Sequence, residues 1–171
     1  MLRGCSVVAS RISYELKKGS ERDCVILRGP INEHFLEQVT ALVSPVGKVV
    51  TLDLGGVECI NSAGVRCFLE FVRNFADERV IVIERCSPVC INQVNLIPDI
   101  AANAQIISFF ADYYCDDCDR EAWQLFEVAQ GLEAITGAIG KQNCGGCEKP
   151  LELQGDADLY LRFLKRMKRP A

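Results

Sequence analysis

The chain of 171 residues contains one histidine, one tryptophan and two methionines. With His34 as the lone imidazole, a catalytic triad or a histidine-bearing metal site has no material, and His34 itself is expected at the surface. Long hydrophobic runs are missing as well. The best apolar stretch, Ile106 to Phe110, is interrupted by Ser108, far short of the roughly 18 residues needed to span a bilayer. The N-terminus turns charged before a signal-type apolar segment develops, so the expected location is the cytoplasm, without membrane contact. Neither GxGxxG nor GxxxxGK occurs, which removes the usual glycine-rich phosphate cradles. Charge of one sign is also scarce: 19 basic and 23 acidic residues give −4, and the parts before and after Tyr114 each carry −2. Such a balance does not describe a general polyanion binder.

What is present is enough apolar material for a core. Apolar residues are 49% and charged residues 25% of the chain, near the average of globular domains, and the length suits one domain with an appendage. Ile12, Tyr14 and Leu16 alternate with polar residues, KKGSER supplies a turn and CVIL resumes an apolar run, which together predict a hairpin. Asn32 is placed to cap a helix with apolar positions from Phe35 to Val43, stopped by Ser44 and Pro45. VVTLDLGGV reads as a buried strand closed by Gly55 and Gly56. Ser62 then opens a helix whose apolar face is Val65, Phe68, Leu69, Val72 and Phe75. A buried strand at Val80 to Ile83 follows, then a short helix from Ser87 with Pro88 in its first turn, and a strand IISFFADYY. This order predicts an α/β fold with a mixed sheet and helical crossovers. Near the C-terminus EAWQLFEVA fits a strand or a helix, while Asp156 is an N-cap for a terminal helix burying Leu159, Tyr160, Phe163, Leu164 and Met167. Its basic end, through Lys168 and Arg169, complements the helix dipole.

The ten cysteines fall into two groups. Cys5, Cys24, Cys59, Cys67, Cys86 and Cys90 lie among apolar neighbours and are expected to be small buried hydrophobes in a reducing compartment. Cys115 with Cys118 and Cys144 with Cys147 form two CxxC pairs, the spacing of a tetrathiolate knuckle pair. Four thiolates fill a tetrahedron and suit structural Zn²⁺, with a rubredoxin-like iron centre or a pair of redox dithiols as alternatives. Asp116, Asp117 and Asp119 would raise neighbouring thiol pKa values, which disfavours redox chemistry. Trp123, Tyr113 and Tyr114 are expected in the core between sheet and cysteine module, and Asp53 as a strand-end acceptor of backbone hydrogen bonds.

The order of elements and the segment VVTLDLGGVECINSAGVRCFLEFV resemble the STAS domain, the module shared by sulphate transporters and bacterial anti-sigma factor antagonists, over about residues 10 to 112. The N-S-A-G turn, Asn61, Ser62, Ala63 and Gly64, stands where the family has D-S-S-G or D-S-x-G. Ser62 matches the family serine phosphorylated by a partner kinase that doubles as an anti-sigma factor; Asn61 replaces the usual aspartate and Ala63 a common second serine. The helix N-terminus favours a phosphate dianion, and equally suits Ser62 as a plain N-cap contributing about 1 kcal/mol.

These readings combine into a STAS-like domain over 10–114 and a four-cysteine, zinc-ribbon-like module with a C-terminal helix over 115–171. The expected function is non-enzymatic: a cytoplasmic, bacterial signal-transduction module that binds a protein, as the resemblance implies an anti-sigma factor or related serine kinase. The rival is a nucleic-acid-binding zinc-ribbon protein using the STAS-like part as scaffold, which the acidic residues around Cys115 and Cys118 disfavour.

Overall fold

The computed structural model describes residues 11–42, 47–77, 79–102 and 104–167. The expected helix stop at Val43 to Pro45, the thiol of Cys5, and Lys168 and Arg169 lie outside them. The chain opens with the hairpin that its alternation predicts, β1 (Ser13–Lys17) antiparallel to β2 (Asp23–Ile31). Buried Asp23 closes its turn, accepting from Lys18 Nζ at 2.9 Å and from the Gly47 amide at 2.7 Å. These donors hold the Asp23 carboxyl below its ordinary range, the Lys18 bond first. β3 (Val49–Ile60) and β4 (Val80–Glu84) add in parallel, and β5 (Ala104–Ile106) completes a mostly parallel sheet in sequential order β1 to β5.

Helices form the crossovers: α1 (Phe35–Val39), α2 (Ser62–Ala76), α3 (Pro88–Leu96) and α4 (Asp99–Ala102). Sequential parallel strands joined by right-handed crossovers place these helices on one face. That face buries Val25, Leu27, Val50, Leu52, Ile81 and Ile83 against Phe35, Phe68, Phe71 and Phe75. Phe35 meets Phe68 and Phe71 edge-on, with centroids 5.9 and 5.3 Å apart, a geometry that aligns ring edges with ring faces.

The beginning of α2 is fixed by contact. A Cβ on Gly64 would sit 2.1 Å from the Ile31 carbonyl oxygen, so only glycine lets the helix start against the end of β2. Gly55 and Gly56 do not close β3, which runs on to Ile60 because β2 continues to pair with it through two register shifts. α1 is shorter than its apolar spacing suggests and passes into a 3₁₀ turn over Thr40–Leu42.

The expected strand IISFFADYY is two strands. After β5 a single residue, Ile107, intervenes before β6 (Ser108–Cys115), which belongs to a second, antiparallel sheet of order β7-β6-β8. EAWQLFEVA supplies β7 (Arg120–Glu127), and β8 (Glu152–Leu153) pairs with Tyr113 and Tyr114. Between β7 and β8 lies α5 (Leu132–Ile139), whose last carbonyl accepts from Tyr113 Oη at 2.7 Å. The sheets share hydrogen bonds at the join. Ile107 N donates to Ile83 O and its carbonyl accepts from Val128 N, both at 2.8 Å.

The terminal helix is broken into α6 (Ala157–Tyr160) and α7 (Arg162–Arg166). Asp156 caps it as expected, accepting from Leu159 N at 2.8 Å. The break rotates the buried face: Leu161 joins Tyr160 and Phe163 inside, while Leu159 is exposed. Phe163 packs edge-on against Phe109 of β6 at 5.1 Å, and Asn95 of α3 donates to Tyr160 O at 2.9 Å. The core is therefore continuous from the parallel sheet into the antiparallel one.

Candidate functional site

β6 ends at Cys115, the chain turns through Asp116 to Asp119, and β7 starts at Arg120. The first CxxC pair thus occupies a hairpin turn. The second occupies a matching turn in which Cys144 N donates to Lys149 O and Glu148 N to Cys144 O, both at 2.8 Å. In each turn the residue directly after the second cysteine, Asp119 or Glu148, has a left-handed backbone, with φ of 50° and 61°. Both loops curl the same way and bring their thiols inward.

The four Sγ atoms of Cys115, Cys118, Cys144 and Cys147 all lie within 4.8 Å of one another. Cys115 and Cys147 are 3.5 Å apart and Cys144 and Cys118 3.8 Å. A tetrahedral ion with metal–sulfur bonds of about 2.3 Å needs sulfur–sulfur edges of about 3.8 Å, so this donor set can hold a metal ion. Cys115 and Cys144 are buried and the other two half-buried, leaving the cluster at the edge of the core.

Its electrostatics favour one thiolate and resist more. Cys144 is pulled down to about 5, first by the Arg120 guanidinium, whose Nη2 lies 3.4 Å from its sulfur, and then by the Gly146 amide, also at 3.4 Å. Cys118 is pushed up to about 12, first by its hydrogen bond with Cys147, and Cys115 is raised by burial. Thiolates this close repel one another, and a bound cation is what lets all four ionise. Arg120 escaped notice in the sequence; the signal was a cation two residues past Cys118, at the even, inward-facing phase of β7. Gly146 belongs to the same contact, since a Cβ there would lie 2.0 Å from Arg120 Nη2.

The N-S-A-G turn is separate from this cluster. Asn61 caps α2, not Ser62: its Oδ1 accepts from Gly64 N at 2.7 Å, and its amide donates to Glu33 Oε2 at 2.9 Å. The amide bond holds the Glu33 carboxyl below its ordinary range. This contact gives a physical reason for asparagine at 61, because an aspartate would face Glu33 with like charge. Ser62 is the first helical residue and is exposed, Ala63 is half-buried and Gly64 buried.

Other expectations divide. His34 is exposed, as its position suggests. Asp53 accepts from Gly55 N at 2.9 Å and faces the Arg85 guanidinium at 3.5 Å. Tyr113 is fully buried, whereas Trp123 is 41% exposed and lies outside the core. Cys24, Cys67, Cys86 and Cys90 are free thiols, buried or half-buried. Cys59 departs from the expectation for that group and is disulfide-bonded.

Among the described residues no helix is long and apolar enough to cross a membrane. Neither a protein-family model nor a curated protein matches the chain.

Proposed function

We propose that the protein is a non-enzymatic signalling module of the STAS, anti-sigma-antagonist type, which offers the start of α2 to a partner protein and is braced by a structural zinc ion. The observation that carries the reading is Ser62. It stands exposed in the first turn of a 15-residue helix, and because Asn61 makes the cap bond, capping does not occupy the serine hydroxyl. A phosphate there would meet the free amides and positive end of the helix. The sequential, mostly parallel sheet agrees with the element order on which the resemblance rests. An anti-sigma factor or related serine kinase in a bacterial cytoplasm is the partner this reading implies.

Zinc is the metal we assign to the cysteine cluster. Four thiolates suit it, and a closed tetrahedron leaves no position for water or substrate, so its role is to hold the second sheet. Native mass spectrometry after reducing, chelator-free purification should show one zinc per chain. Iron-type colour or a metal-free mass would count against the assignment.

The interaction is tested with the partner recovered from the native cell and identified by mass spectrometry. Ser62→Glu places a charge in the contact and should weaken binding by about tenfold or more, while Ser62→Ala binds nearly normally. Both variants should melt with the parent, since glutamate is tolerated near a helix N-terminus. Equal binding by Ser62→Glu, together with no phosphate on Ser62 in cells, would overturn the partner-switch reading.

A further inference from the structure

The two faces of the antiparallel sheet differ sharply. On one, Phe109, Ala111, Tyr113 and Cys115 of β6 are fully buried. On the other, β6 presents Phe110, Asp112 and Tyr114, and register sets Leu125, Trp123 and Glu121 of β7 directly opposite them. Trp123 is 41% and Leu125 46% exposed, with the Trp123 and Phe110 rings 5.7 Å apart. Tryptophan and leucine shown to water beside half-buried Phe110 and Tyr114 form the type of patch that anchors protein contacts.

The rim of this patch is acidic. Glu121 and Glu127 flank the exposed pair along β7, Asp119 accepts from the Tyr114 hydroxyl, and Glu152 stands opposite Tyr114 on β8. None of these positions on β6, β7 or β8 is basic. A cation from outside the sheet lies over the face: Arg85 holds its guanidinium 5.6 Å from the centroid of the Phe110 ring. That contact is an internal example of what the surface accepts, a guanidinium on an aromatic face. β7 is also an edge strand, so an extended chain can approach along it.

We propose that this face, centred on Trp123 and Leu125, docks a cationic segment of a partner protein in which arginine or lysine alternates with apolar residues. Apolar side chains cover Leu125 and Trp123, and cations meet Glu121, Glu127 and the aromatic rings. The surface lies apart from the start of α2 and does not depend on the reading of Ser62.

Trp123 is the chain's only tryptophan, so its emission reports the site in the full-length, metal-loaded protein. The probe is a short synthetic peptide alternating arginine with leucine, and the control replaces each arginine by glutamine. The arginine peptide should change the emission saturably and the glutamine peptide should not. Glu121→Gln with Glu127→Gln should weaken binding about tenfold. Glu70→Gln with Asp77→Gln, the same change in net charge on and beyond α2, should leave it unaltered. The proposal is overturned if the emission does not respond, if both peptides act equally, or if the two double variants weaken binding alike. It is also overturned if single-stranded DNA, added without peptide, changes the emission saturably. Self-association abolished by Leu125→Ser in sedimentation would make a second copy the occupant and overturn it as well.

Discussion

The two sheets reach order by opposite routes. In the parallel sheet Leu27, Leu52 and Ile83 are wholly buried, and strand after strand is fastened by apolar side chains meeting phenylalanines from the helices. The antiparallel sheet has three strands, one of them two residues long, and leaves Trp123 and Leu125 of one face exposed. By itself so small a sheet has little apolar surface to bury. Its turns are instead gathered by four sulfurs, and its buried face borrows Phe163 and Tyr160 from the end of the chain. One half is held by a core alone; the other shares that core and adds a four-cysteine cluster able to hold a metal ion.

Removing the proposed metal should break this contrast most severely. Site formation contributes on the order of 10 kcal/mol in small thiolate modules, so a chelator, or Cys115→Ser, should abolish hydrogen-exchange protection across β6 and β7. Strands β2 to β4 should retain theirs. Equal loss in both sheets would show that they order as one unit. Next in size is Leu52→Ala, which empties a site of zero exposure and should cost about 2–5 kcal/mol. Denaturant unfolding should register that loss with the metal content unchanged. Arg120→Ala should have the smallest effect, lowering metal affinity about 10- to 100-fold by removing the charge beside Cys144. Arg120→Lys should recover part of it, and competition with a chromogenic chelator measures both.

Legibility in the sequence follows the same division. Helix and strand spacing in the first half reports burial against one continuous core, so the hairpin, β3, α2, β4 and α3 were readable, and so was the cap Asp156 near the C-terminus. The cysteine pairs were readable because ligand spacing is local. Other features depend on partners remote in sequence. IISFFADYY is uninterrupted to the eye, yet it splits at Ile107 because that residue bonds to Ile83 and to Val128. EAWQLFEVA carries apolar residues at both periods, and only pairing with β6 decides for a strand. Trp123 was expected inside because aromatics usually are; its phase on β7 turns it outward. Asn61 and Ser62 both qualify as caps by residue type, and the approach of Asn61 to Glu33 decides between them.

The one-residue join at Ile107 sets a rule for how this chain can vary. Side chains on a strand alternate strictly between faces. One residue inserted at the join, or one deleted, would reverse the phase of β6 as far as Cys115. Phe109, Ala111 and Tyr113 would turn to water, Phe110 and Asp112 would turn inward, and Cys115 would point away from its three companions. The turn after α5 is less crowded, because a Cβ added at Gly140 meets no atom within 4 Å. Length changes in descendants of this sequence should therefore collect there, and the seam between the sheets should keep its count.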